Sequence, residues 1–157
     1  MRSQNEKAFG QFSSIQSQRP NTLGPVEIEL DTLEDTIGKE YSLYCEKGDV
    51  MIKKSGLYLI IAAPQVGKER GDTPRWIDFW FRINSRDVPN SNVRYVIKDA
   101  WEKNVIVTQT VTNLANGDIL NVMMSVENAE EGIGIEAIQP EEEPLIPSII
   151  LTILQLE

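Results

Sequence analysis

The stretch Ser148-Ile149-Ile150-Leu151-Thr152-Ile153-Leu154-Gln155-Leu156 decides the fold class. It is short, follows a proline and is rich in isoleucine, so it reads as a strand rather than a helix. Side chains alternate between the two faces of a strand, yet here both the odd and the even positions are apolar. A strand apolar on both sides is dry on both sides. Leu57-Tyr58-Leu59-Ile60-Ile61-Ala62-Ala63 and Ile119-Leu120-Asn121-Val122-Met123-Met124-Ser125-Val126 show the same excess. Each sheet of a two-layer sandwich has one inner face, so the second face of such strands must meet something else. Other copies of the chain are the expected cover. The alternative is that the long segment before Tyr41 folds over it.

Elsewhere the dominant period is two. Val26, Ile28 and Leu30 alternate with Glu27 and Glu29, the pattern of a strand with one wet face. Turn chemistry separates the runs at Lys47-Gly48-Asp49, Lys54-Ser55-Gly56, Pro89-Asn90-Ser91-Asn92 and Ala115-Asn116-Gly117-Asp118. Asn116-Gly117 between two apolar runs is the strongest hairpin signal. Strands are expected at 8–14, 25–30, 41–45, 49–54, 57–64, 76–84, 92–97, 104–114, 118–127 with 133–138, and 148–156. Asp31–Gly38 is the best helix candidate, but it is short and reads better as a turn. The expectation is an all-β, ten-stranded antiparallel sandwich or barrel. One domain spans 1–157, with 1–7 a candidate disordered tail.

Composition narrows the function. The net charge of −9 is unevenly placed: residues 104–157 carry nine acidic residues and no basic one. Such a chain repels phosphate backbones and anionic bilayers, so neither nucleic acid nor membrane insertion is expected. No apolar run approaches the roughly 18 residues that span a bilayer. Met1–Lys7 leads into no apolar segment, so the expectation is a cytoplasmic protein, or one assembled at a surface or virion without a conventional signal peptide. Cys45 is the single cysteine, which excludes an intrachain disulfide and reads as a small buried hydrophobe.

Four runs in order carry a family resemblance. Lys54-Ser55-Gly56-Leu57-Tyr58-Leu59-Ile60 is similar to the "(P/S)-G-x-Y-x-(F/I)" strand of the tumour necrosis factor superfamily, and to that of the globular head of complement component one, subcomponent q. Phe79-Trp80-Phe81-Arg82-Ile83-Asn84 resembles the strand that follows, which in the family ends in Asn-Gly. Thr112-Asn113-Leu114-Ala115-Asn116-Gly117-Asp118-Ile119-Leu120 resembles the "L-x-x-G-D-x-(V/I)" turn, and 148–154 matches the closing strand in position and hydrophobicity. Ala8-Phe9-Gly10-Gln11-Phe12-Ser13 is similar to the opening strand of bacterial and phage members. Ser85 stands where the family has glycine, the closing strand lacks Phe-x-Gly, and no collagen-like stretch precedes the domain. The resemblance implies a ten-stranded jelly roll assembled as a homotrimer, its first and last strands together near the threefold axis. With the doubly apolar strands it marks Phe9, Phe12, Leu57, Leu59, Ile61, Val122, Ile150, Thr152 and Leu154 as interface candidates.

Catalytic apparatus is absent from this reading. The chain has no histidine, which excludes Ser-His-Asp and Cys-His nucleophilic systems and histidine-ligated metal centres. Gly132-Ile133-Gly134 meets no phosphate-loop spacing. Glu130, Glu131 and Glu136 are the candidates for a calcium ion. With no EF-hand spacing they read first as a solvated acidic loop, and no cofactor is expected. Two of these carboxylates would be needed for a glycosidase, and nothing sets them apart for it. Trp76 and Trp80 share a strand face with Asp78 between them; Trp101, in the polar Lys98–Lys103 loop, is the aromatic expected to be exposed. Trp101 and Trp76 are the candidate ligand contacts. The function expected is a non-enzymatic trimeric head that binds a protein or glycan through its outer loops. The alternative is a trimerisation or capping module of a phage fibre, spore-surface or cell-surface filament.

Overall fold

The turns at Lys47-Gly48 and Asn84-Ser85 set the first two hairpins, because all four residues take positive φ (52°, 96°, 51° and 65°). Two left-handed residues in a row match the right-handed twist of the flanking strands. The computed structural model describes residues 6–30, 32–33 and 43–157. Within them run fourteen strands and no helix. They are β1 (Phe9–Ser14), β2 (Val26–Glu27), β3 (Thr32–Leu33), β4 (Leu43–Glu46), β5 (Asp49–Ile52), β6 (Gly56–Gly67) and β7 (Arg75–Ile83). The rest are β8 (Arg86–Asp87), β9 (Val93–Ile97), β10 (Asn104–Val105), β11 (Thr108–Leu114), β12 (Ile119–Val126), β13 (Gly134–Ile135) and β14 (Ile149–Gln155).

Two antiparallel sheets face each other. The first runs β10-β6-β14-β1-β3, with β11 and β13 also paired to β6. The second runs β4-β5-β12-β7-β8, with β2 on β12 and β9 on β7. First and last strands lie side by side, Phe9 opposite Leu154 and Gln11 opposite Thr152. Inward-facing side chains of both sheets form the core, including Phe12, Tyr58, Ile60, Phe79, Phe81, Val122 and Leu151, none more than 1% exposed.

Several expectations change in detail. The run 104–114 breaks at 106–107, its first part pairing with the far end of β6 and its second with the near end. Residues 118–127 and 133–138 do not continue one another: β12 belongs to the second sheet and β13 pairs with β6 in the first. In the segment 25–30 the strand is confined to Val26–Glu27 on β12, with one further bond from Ile28 N to Val122 O at 2.9 Å. Asn116-Gly117 does not close a hairpin. It carries the chain from β11 in one sheet to β12 in the other, in a turn where Asp118 N donates to Ala115 O at 2.9 Å. Apart from Thr32–Leu33, which pair with β1, the turn at Asp31–Gly38 lies outside the described residues. So do residues 1–5 of the tail and 41–42 of the third strand.

Candidate functional site

Two surfaces stand out, one a sheet face and one a loop cluster. On the outer face of the first sheet, register aligns Phe9, Leu154, Leu59 and Val111 in a row across β1, β14, β6 and β11. Phe9, Leu154 and Val111 are 36%, 39% and 55% exposed. Leu57, Ile61 and Ile150 point to the same side and are half-buried, with Thr152 next to Ile61 in register. Seven of the nine interface candidates therefore share this face. Phe12 and Val122 do not: Phe12 lies three positions from Phe9 and so points inward, and Val122 faces the core from the second sheet. The third doubly apolar strand, β12, thus contributes nothing here. Its outward Met123 sits opposite Trp80 instead, and the two are 2% and 8% exposed.

At one end of the sandwich the connections 68–74, 98–103 and 127–133 are clamped together by charge. The Lys68 side chain is fully buried, and its Nζ donates to Thr73 O and Lys98 O at 2.7 Å. It also lies 3.1 Å from Glu131 Oε2, so three donors meet three acceptors from three segments. Arg75 binds the same carboxylate through Nε and Nη2, both at 3.3 Å. Arg75 first, and Lys68 after it, holds the Glu131 carboxyl below its ordinary range. Glu136 is 5% exposed; it pairs with Arg19 at 2.7 Å and with Lys103. Gly67 leaves the room Glu136 occupies, since a Cβ there would stand 2.1 Å from the carboxyl carbon.

These pairings occupy the carboxylates of two of the three calcium candidates with side-chain cations. Glu131 and Glu136 are each neutralised by two cations, and Glu130 contributes its backbone carbonyl to Arg70 at 2.6 Å. Among the described residues no group of three or more His, Cys, Asp or Glu is arranged to hold a metal ion. The charge asymmetry of the sequence had concealed this, because the acidic second half finds its cations in Arg19, Lys68, Arg75 and Lys103 of the first.

Trp101 crowns the same end, 93% exposed. It lines an open cleft with Gly71, Asp72, Asp99, Ala100 and Glu102. Trp76 is placed differently. It lies on the outer face of the second sheet beneath Arg94, whose guanidinium carbon is 4.2 Å from the ring centroid. Arg94 is fixed in turn by Asp78 through two bonds of 2.8 and 2.9 Å. Asp78 between two tryptophans is thereby explained: it holds a cation on an aromatic face. Trp80 donates its Nε1 to Asp87 at 2.7 Å. Sequence reasoning missed Lys68 altogether, since a lone lysine after a strand carries no sign that it will be buried.

Together the two sheets, their strand order and the adjacent first and last strands define a tumour necrosis factor-like jelly roll. Three crystal structures of murine APRIL, a member of that superfamily, superpose on the chain. Those at pH 5.0 and 8.0 give a TM-score of 0.57 and that at pH 8.5 gives 0.58. Each is 14% identical and covers 96% of this chain and 100% of its own, a likeness of fold. In sequence, no protein-family model and no curated protein matches.

Proposed function

We propose that the chain is a non-enzymatic homotrimeric recognition head, which assembles through the outer face of its first sheet and binds a protein through loops at the end of the sandwich. The observation that carries this reading is the row Phe9–Leu154–Leu59–Val111. Four apolar side chains aligned across four strands on a solvent face form a contiguous patch of the kind that marks an interface. Beside this face, Thr32–Leu33 extend the sheet edge by pairing with β1. The apolar face argues for assembly, and the number three is taken from the family resemblance of the sequence motifs. Light scattering on the purified chain at low micromolar concentration is expected to give three times 17.7 kDa. A monomer under those conditions would overturn the reading.

A further inference from the structure

The connection 68–74 contains the tripeptide Arg70-Gly71-Asp72. We propose that it is an adhesive element, taken up by a receptor that presents a bound divalent cation with an open coordination position beside an acidic pocket. The inference rests on the recognition-head reading for its setting and adds the class of partner.

Chemistry at each end of the tripeptide points to such a receptor. The Asp72 carboxylate is exposed and makes no hydrogen bond or ion pair among the described residues. A free carboxylate at a loop tip is a hard oxygen ligand available to an incoming cation. Arg70 is 61% exposed. One of its five donors is engaged by Glu130 O at 2.6 Å, and Glu69 Oε1 is 3.8 Å away, a solvated pair of little strength. The remaining edge of the guanidinium can be received by a carboxylate in the two-bond geometry that lysine cannot offer.

Backbone geometry then sets the two ends apart. Gly71 has φ of +89°, and a Cβ there would stand 3.0 Å from the Glu131 carboxylate, so the turn between Arg70 and Asp72 requires glycine on two counts. The loop is also held before any partner arrives. Glu69 N and Arg70 N both donate to Glu131 O at 3.1 Å, and Thr73 O is fixed by the buried Lys68. A loop already ordered loses less entropy on binding. Trp101 lines the same cleft as Asp72 and offers a flanking apolar contact. In a trimer the element would be displayed three times, so clustered receptors would be engaged with avidity.

The test uses the purified chain on a sensor surface and, as the probe, an integrin ectodomain that captures Arg-Gly-Asp peptides in Mn²⁺ buffer. Saturable binding is expected, lost in EDTA and competed by a cyclic Arg-Gly-Asp peptide. Asp72→Glu keeps the charge but moves the carboxylate by a methylene, and should weaken binding by more than about tenfold, as should Arg70→Ala. Binding that survives EDTA, or that is equal in Asp72→Glu and the parent chain, would overturn the inference, as would no binding while a control peptide binds. Light scattering on the same samples separates the two readings: a trimer that ignores the receptor defeats only this inference, and a monomer defeats the proposed function.

Discussion

Lys68 Nζ stands 3.1 Å from Glu131 Oε2 with its side chain wholly removed from solvent, and that ion pair ties the β6–β7 connection to the loop after β12. Replacing one member of a buried, fully bonded charge set leaves its partners stranded. Lys68→Met keeps most of the volume but abandons two carbonyls and part of a carboxylate. It should lower unfolding free energy by about 3 kcal/mol, read from the midpoint of a urea titration at constant m-value.

Acid should act through the same carboxylate. Glu131 titrates below its ordinary 4.5 in the folded protein, chiefly because Arg75 bonds it. Its contribution is therefore complete above that unfolded value and is lost as pH falls through the lower folded one. The denaturation midpoint is expected to drop below pH 4.5, and Glu131→Gln should remove that part of the pH dependence while leaving the plateau near neutrality lower and flatter. Identical profiles for the two proteins would count against the pairing.

At the alkaline end the relevant group is Tyr58. Burial pushes its phenol up to about 12, and its hydroxyl donates to Lys54 O at 2.6 Å. A raised folded value means stability is complete below the unfolded value near 10 and falls as pH rises toward 12. Absorbance titration at alkaline pH should show one tyrosine lagging, and Tyr58→Phe should abolish the lag.

Ser85 offers a gain rather than a loss. It holds φ of +65° beside Asn84 at +51°, a conformation that glycine takes without strain and a Cβ resists. The turn thus holds a serine in a conformation that suits glycine. Ser85→Gly should stabilise the fold by about 0.5–1 kcal/mol, a rise of a few degrees in Tm by calorimetry.

Position in β14 should decide how a charge is tolerated. Leu151 is 0% and Leu154 39% exposed in the protomer. Leu154→Asp should give a folded monomer by light scattering and circular dichroism, whereas Leu151→Asp should fail to fold, since it buries an unpaired charge. Trp101→Ala, at the exposed loop, should change stability by less than about 0.5 kcal/mol.

Periodicity located the strands because alternation is a local consequence of the pleat, and it holds wherever one face is dry. That is why β1, β5, β7, β9 and β14 stand within a few residues of where their patterns place them. It also exposed the surplus apolar face of β6 and β14. What periodicity could not say is which sheet a strand joins. The apolar excess of β12 looked like that of β14, yet Met123 meets Trp80 in the other sheet. Asn116-Gly117 looked like a hairpin, yet its two flanking strands part to different layers. The ion pairs were hidden for the same reason: Arg19 and Glu136 are 117 residues apart. The sequence by itself determined which segments extend, which turns need glycine and which strands carry too much apolar surface. Only the tertiary structure decided which faces coincide, because strand pairing and charge pairing are set by closure of the whole chain rather than by neighbours along it.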